Sequence, residues 1–312
     1  MTAPRLIFMG TPDFAVPPLK ALIDAGHTIS AVVTRPDRPK GRGRALTMPP
    51  VKAIALDAGI PVLQPERIKE SAFLESLERL APDIIVVVAY GKILPPALLA
   101  LPPKGCINLH SSLLPKYRGA APINWAIVQG ERETGVTTMI MDEGMDTGPL
   151  LMKEVVPIGD DDTAQTLHDR LSAVGAELLV KTVDGVLKGT VKPVPQDEGG
   201  ATYAPMLTKE DGRIKWDATA VEIKNLVRGL FPWPGAYTRW EGKAVKITKV
   251  AARPGENTDA PGIILAVGEK GIEVAAGSGI VTVLELQPES KRKMTAADFI
   301  KGYRIGTGQV LN

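Results

Sequence analysis

Along the first half of the chain, short and uniformly apolar runs alternate with longer amphipathic stretches. Arg5 to Met9 reads as a buried strand, and Gly10-Thr11-Pro12-Asp13 breaks it. Phe14 to Ala25 reads as a helix, with Asp13 as a candidate cap and Gly26 as its stop signal. Thr28 to Thr34 is β-branched and strand-like, and Pro49 to Ala58 and Arg67 to Leu80 carry helical spacing. Asp83 to Ala89 is apolar on both faces, which suits a strand buried in a parallel sheet. Gly105 to Leu109 and Val136 to Met141 continue the series. Strands alternating with helices predict a doubly wound α/β sheet.

A helix is expected over Thr163 to Leu187. The acidic run Asp160-Asp161-Asp162 before it reads as an N-terminal cap favoured by the helix dipole rather than as a metal site. His168 inside this helix reads as a surface or packing residue. The texture then changes: residues 190–207 are rich in Pro, Gly and polar residues and read as a linker. Beyond it, Ala244 to Val250, Gly262 to Val267, Gly271 to Ala275 and Ile280 to Leu286 are short strand-like segments separated by turn residues. With a helix over Glu222 to Leu230, they predict a small β-barrel or sandwich. The expected division is 1–189, a linker 190–207, and 208–312.

Composition narrows the class. The chain has 312 residues, 44% hydrophobic and 23% charged, enough for a sizeable core. Its longest clearly apolar run, Ile84 to Tyr90, is far short of the roughly 18 residues a membrane span needs. A single cysteine, Cys106, excludes an internal disulfide and any multi-cysteine zinc site, and points to the reducing cytoplasm. The net charge of +2 conceals an uneven distribution. Residues 208–312 carry a net +4, and residues 35–44 another +4, on an otherwise acidic first part.

The turn after the first strand excludes two common chemistries. A dinucleotide fingerprint needs Gly-x-Gly-x-x-Gly there, and Gly10-Thr11-Pro12-Asp13-Phe14-Ala15 has one glycine and a proline that removes an amide. The phosphate-cradling Gly-x-x-x-x-Gly-Lys-Ser/Thr is also absent.

The segment from Gly105 to Gly119 carries the chemistry. Side chains alternate along a strand, so Cys106, Asn108 and His110 share one face, with Ile107 and Leu109 on the other. An amide and an imidazole therefore project together where a strand ends, the place where open α/β sheets bind ligands. The glycine-rich turn Met141 to Pro149 adds carboxylates. One of them beside His110 would fix the imidazole tautomer and favour its charged form, while Asn108 donates to a developing oxyanion. Such a trio suits acyl or formyl transfer without a covalent nucleophile. Spacing leaves open whether Asp142, Glu143 or Asp146 is the partner.

Asn108-x-His110, the following Ser-Leu-Leu-Pro-Lys-Tyr-Arg-Gly and the later Asp146-Thr147-Gly148 resemble the folate-dependent formyltransferases. The opening Met9 to Ala15, the loop Arg35 to Gly43, Val88 to Pro95 and Phe231 to Ala236 extend the resemblance over essentially the whole chain and narrow it to the members that act on an initiator tRNA. The resemblance implies a Rossmann-like formyltransferase domain followed by an oligonucleotide-binding-type (OB-like) β-barrel. It implies 10-formyltetrahydrofolate as donor, the α-amino group of methionyl initiator tRNA as acceptor, and no metal. Asn108, His110 and Asp146 match the catalytic positions, with Asn108 and His110 donating to the oxyanion and Asp146 holding the imidazole. Ser112, Leu113, Leu114, Pro115 and Lys116 are expected to line the folate site, with the segments Val88 to Leu94 (Val88, Tyr90, Gly91, Ile93 and Leu94 foremost) and Ile140 to Asp146 walling the pterin. Cys106 is expected to be an inert buried thiol.

Five basic residues, Arg35, Arg38, Lys40, Arg42 and Arg44, form an expected exposed and mobile loop for the acceptor end of the tRNA, with Arg42 foremost. Lys291, Arg292 and Lys293 are a second candidate RNA contact. A cytoplasmic enzyme acting as a monomer, with no membrane partner, is the resulting expectation. Its rivals are a formyltetrahydrofolate hydrolase, an amino-sugar formyltransferase, and a non-catalytic RNA-binding protein on the same scaffold.

Overall fold

The computed structural model describes residues 3–40 and 45–312. The chain divides into two compact units, the first comprising Met1–Pro122, Glu133–Pro157 and His168–Ala204. Its centre is a seven-stranded sheet. In chain order the strands are β1 (Arg5–Gly10), β2 (Thr28–Val33), β3 (Val62–Leu63), β4 (Ile84–Val88), β5 (Cys106–His110), β6 (Glu133–Ile140) and β7 (Leu150–Pro157). They lie in the order β7-β6-β5-β4-β1-β2-β3.

The strands β3, β2, β1, β4 and β5 run parallel to one another. Every residue of β4 is buried, as its apolar run on both faces requires. The connection reverses direction between β1 and β4, so the ends of these strands and of β5 open onto one edge of the sheet. Helices Val16–Asp24, Pro50–Asp57 and Ser71–Leu80 connect the strands. No side chain caps Val16–Asp24: Asp13 lies in a preceding 3-10 turn, while Gly26, at φ +79°, stops the helix as expected. The start of the Ala164–Lys188 helix is capped by Thr163, whose hydroxyl accepts from the Thr166 amide, and not by the three acids before it. Gly175 of that helix sits where a Cβ would be 2.8 Å from Leu109, so the helix lies close on the face of β5 opposite His110. His168 packs edge-on against Phe14.

Two departures from the expected sheet matter for the site. β6 is antiparallel to β5, pairing Ile107 with Ile140 and His110 with Thr137. The turn after β6 therefore begins beside the start of β5, with the Met141 amide on the Cys106 carbonyl, and must fold back about 13 Å along the strand to reach His110. Secondly, the stretch expected to be a linker belongs to this unit up to Ala204. Val194 bridges Leu150, and Tyr203–Ala204 pairs in parallel with Arg118–Gly119.

The second unit comprises Ile123–Arg132, Ile158–Leu167 and Pro205–Asn312. Its antiparallel sheet joins β8 (Ala236–Trp240), β9 (Lys243–Arg253), β10 (Ile264–Gly268), β11 (Gly271–Ala275) and β12 (Ile280–Pro288) in the order β8-β9-β12-β11-β10. Alternate residues such as Val245, Ile247, Val274, Val281 and Val283 turn inward onto one core with Trp216, Ile223 and Phe299. Helix Ala220–Gly229 carries a capping box between Thr219 and Glu222, which holds the Glu222 carboxyl below the usual range through its hydrogen bonds to Thr219. Two pieces that the sequence assigns to the first body join this unit for hydrogen-bonding reasons. Asn124 Nδ2 donates to the Gly229 carbonyl at 2.8 Å, and Arg228 Nη1 donates to the carbonyls of Gly159 and Asp162.

Candidate active site

Asn108 and His110 project from the same face of β5. Asn108 is half-buried, and its carboxamide makes no hydrogen bond to another described residue. His110 is held at one ring nitrogen and faces a carboxylate with the other. Nε2 lies 3.0 Å from the Tyr117 carbonyl oxygen, and Nδ1 lies 3.7 Å from Asp146 Oδ1. A carbonyl can only accept, so Nε2 carries a proton, and the backbone rather than the carboxylate sets the tautomer. The gap between Nδ1 and Asp146 exceeds a hydrogen bond, leaving Nδ1 as the ring atom free to exchange a proton.

The geometry separates the three acids that spacing left open. Asp142 Oδ1 accepts from the Gly144 amide and the Thr147 hydroxyl, so this side chain is committed to folding its own turn. Glu143 is exposed. Asp146 faces His110, and its other oxygen, Oδ2, accepts from the Gly119 amide at 2.8 Å. Asp146 sits at φ +56° and Tyr117 at φ +61°, left-handed conformations that cost an L residue on the order of 1–3 kcal/mol and persist when surrounding contacts hold them.

Those contacts come from residues 196–204, where the sequence reads as a linker. The Thr202 hydroxyl accepts from the Tyr117 amide at 2.8 Å, and the Thr202 carbonyl accepts from Arg118. Gln196 Nε2 donates to the carbonyls of Asp146 and Gly148, and its Oε1 accepts from the Arg118 guanidinium. Arg118 is only 1% exposed and pairs with both oxygens of Glu198. That pair holds the Glu198 carboxyl below its usual range and the guanidinium above its own. Motif spacing does not reveal Gln196, Glu198 or Thr202; the only sequence signal for them is a cluster of hydrogen-bonding side chains amid Pro and Gly.

The expected folate-site residues divide in two. Val88, Ser112, Leu114 and Leu94 are buried, and Tyr90 is buried with its hydroxyl pushed up to about 12 by desolvation. The Ser112 hydroxyl donates to the Lys116 carbonyl and Lys153 donates to the Leu114 carbonyl, so Ser112 and Leu114 shape this loop from beneath rather than present side chains to a ligand. Burial lowers the Lys153 ammonium below its usual range. Leu113, Pro115, Lys116 and Gly91 retain exposure. Ile93 is 75% exposed and Met145, inside the expected Ile140 to Asp146 wall, is 59% exposed. Exposed large apolar side chains on the loops following β4 and β6 are what an aromatic ring system needs for a wall.

Cys106 faces the core, where burial pushes its thiol up to about 12 and Sγ donates to the Leu98 carbonyl. Of the basic residues, Arg35 is not on a free loop: its Nη2 donates to the Gly91 carbonyl at 2.6 Å. Asp37 is tied to Lys52 and Gln64, and Lys52 holds its carboxyl below the usual range. Arg38 is exposed on a short strand, Arg38–Lys40, paired with Ala45–Thr47. The expected mobile loop therefore has a hydrogen-bonded base. Arg42, Arg44 and the Lys40 side chain lie outside the described residues. In the second unit Lys291 and Arg292 are exposed, while Lys293 pairs with Glu285 at 2.7 Å. Among the described residues no cluster of three or more His, Cys, Asp or Glu could hold a metal, and no helix is long and apolar enough to cross a membrane.

Comparison with known proteins identifies the family and the fold. Residues 4–183 match the formyl transferase family, and residues 206–304 match the formyl transferase C-terminal domain. A protein of Citrifermentans bemidjiense named methionyl-tRNA formyltransferase is 52% identical over 311 residues, 100% of this chain and 97% of its own. Its namesake in Geobacter sulfurreducens is 53% identical over 308 residues, 99% of this chain and 96% of its own. Among solved structures, the fold is shared with an N-formyltransferase from Helicobacter canadensis in complex with folinic acid and dTDP-3-aminofucose (TM-score 0.67, 20% identity, 90% of this chain and 99% of that one). It is shared also with HypX from Aquifex aeolicus in complex with tetrahydrofolic acid (TM-score 0.65, 18% identity, 99% of this chain and 49% of that one).

Proposed function

The chain belongs to the formyl transferase family, and from that membership we propose how its residues transfer a formyl group from 10-formyltetrahydrofolate to the α-amino group of methionyl initiator tRNA. The overall activity follows the relatives, which match this chain end to end at about half identity. The residue roles rest on one observation: a carboxamide without a partner among the described residues, Asn108, stands on the same strand face as an imidazole whose Nδ1 alone is left for chemistry.

The folate donor supplies a formyl carbon bonded to a nitrogen that leaves. The residues present suit it: Ile93 and Met145 offer apolar surface, Gly91 offers exposed backbone two residues before Ile93, and Leu113 is partly exposed. Asn108 Nδ2 donates to the formyl oxygen as negative charge gathers there. His110 Nδ1 takes a proton from the attacking amine and returns it to the departing nitrogen, so the imidazole ends as it began. Asp146 stabilises the transient imidazolium across 3.7 Å, and Tyr117 holds the far nitrogen so that the ring cannot turn away. With Nε2 engaged, His110 serves as proton carrier and Asn108 as the oxyanion donor, a narrower division than the sequence suggests.

Arg38, Arg42, Arg44, Lys291 and Arg292 are proposed to meet the tRNA backbone, and the enzyme to work as a cytoplasmic monomer. The test is an assay of the purified protein with 10-formyltetrahydrofolate and methionyl initiator tRNA, with uncharged tRNA and an amino-sugar nucleotide as alternative acceptors. Formyl-methionyl product from the charged tRNA alone is expected. A folded protein that formylates only the sugar, or only hydrolyses the donor, overturns the reading.

A further inference from the structure

We propose that Gln196 is a positioning residue that sets the catalytic carboxylate of Asp146, with Arg118 as its buried anchor; this rests on the role given to Asp146 above. Asp146 rides on a turn that folds back from the wrong end of its strand, in a left-handed conformation. Something must hold it there. Gln196 Nε2 donates to the Asp146 carbonyl at 2.8 Å and to the Gly148 carbonyl at 2.7 Å, spending both hydrogens on the turn. A carboxamide is the neutral side chain that can give two hydrogens to two carbonyls and still accept at its other end.

That other end is fixed. Gln196 Oε1 accepts from Arg118 Nη2 at 2.9 Å and Nε at 3.2 Å. A guanidinium has no acceptor, so the amide cannot turn over. Glu198 takes one hydrogen from each of Nη1 and Nη2, at 2.9 and 2.8 Å, and compensates a charge that is 1% exposed. The chain neighbours of Arg118 hold the reacting groups themselves. The Tyr117 carbonyl takes His110 Nε2, and the Gly119 amide binds Asp146 Oδ2. The two residues flanking Arg118 thus grip both catalytic side chains, and Gln196 ties the backbone of the Asp146 turn to Arg118 between them. The 3.7 Å separation of imidazole and carboxylate is set through this link. A displacement of about 1 Å in such a constellation costs on the order of 10² in rate.

The full-length protein would be compared with Gln196→Met, which keeps length and loses every hydrogen bond, and with Gln196→Glu, which keeps the acceptor for Arg118 and loses both donors. Each is made alone and together with Asp146→Asn. Expected is a 10- to 100-fold fall in kcat for both single variants, with KM for the folate donor and for methionyl-tRNA within threefold of the parent. In the Asp146→Asn background the same changes should cost less than threefold, because residues acting through one another are not additive. An equal loss in both backgrounds, an effect confined to KM, or unchanged kcat overturns the proposal. Unimpaired Asp146→Asn would instead overturn the role of the carboxylate, and so distinguishes that failure from this one. If Gln196→Met does not fold, Gln196→Glu decides alone, since its pairing with Arg118 is retained.

Discussion

Asp146→Asn is the sharpest perturbation of the site because it changes charge and almost nothing else. The Gly119 amide needs only an oxygen at Oδ2, which an Asn supplies, so the turn stays in place. What is lost is the attraction between a carboxylate and an imidazolium 3.7 Å apart. At that distance a pair of unit charges is worth about 1 kcal/mol with the screening of bulk water and about 4 kcal/mol at the effective dielectric near a protein surface. The side chains are 7% and 17% exposed, so the value belongs in the upper part of this range. A loss of about 3 kcal/mol in the transition state lowers kcat on the order of 10²-fold. Single-turnover formyl transfer, at saturating donor and methionyl initiator tRNA, reads it directly. A kcat within threefold of the parent in a folded variant would refute the charge argument.

Asn108→Ala should retain folate binding, measured by fluorescence titration, and lose on the order of 10²–10³ in turnover, as removal of an oxyanion donor does. Gly119→Ala should lower stability by about 2–4 kcal/mol in urea unfolding: the residue lies at φ +123°, and the new Cβ would fall 2.7 Å from the Ala204 carbonyl oxygen. Cys106 is neutral in the fold, with its pKa raised from 9.0 to about 12. Its stabilising contribution is therefore complete below pH 9 and is lost between pH 9 and 12, as only the unfolded chain ionises. The unfolding free energy from urea titrations should fall with pH above 9, by up to about 1.4 kcal/mol per pH unit, more steeply than in Cys106→Ala. Affinity for tRNA should drop with salt. Lys291→Ala and Arg292→Ala should each reduce the log–log slope by about 1, and Lys293→Ala by less, because Lys293 already pairs with Glu285.

What the sequence reveals and conceals has physical reasons. The run Ile84 to Val88 announces a buried parallel strand because both its faces meet apolar layers. Asn108 and His110 announce themselves because strand alternation is strictly local. The missed strands are those without such a signature: Val62–Leu63 has two residues, and Leu150–Pro157 is an edge strand with most of its residues partly or fully exposed. Spacing could not single out Asp146 from Asp142, and only the family resemblance did, because the choice depends on an antiparallel pairing with β5, which is a tertiary fact. Gln196 was hidden by its setting. Pro and Gly around it signal the lack of regular structure, and irregular backbone with free hydrogen-bonding side chains is what a clamp on another loop requires.

The short parallel pairing of Arg118–Gly119 with Tyr203–Ala204 joins segments about eighty-five residues apart in the chain. During synthesis, a chain complete to residue 189 already holds Asn108, His110 and Asp146, and all seven strands of the sheet. It still lacks the hydroxyl for the Tyr117 amide and both ends of the Arg118 link. On the roles proposed for Asp146 and Gln196, catalytic competence arrives later than the fold that carries it, when residues 190–204 emerge and close over the turn.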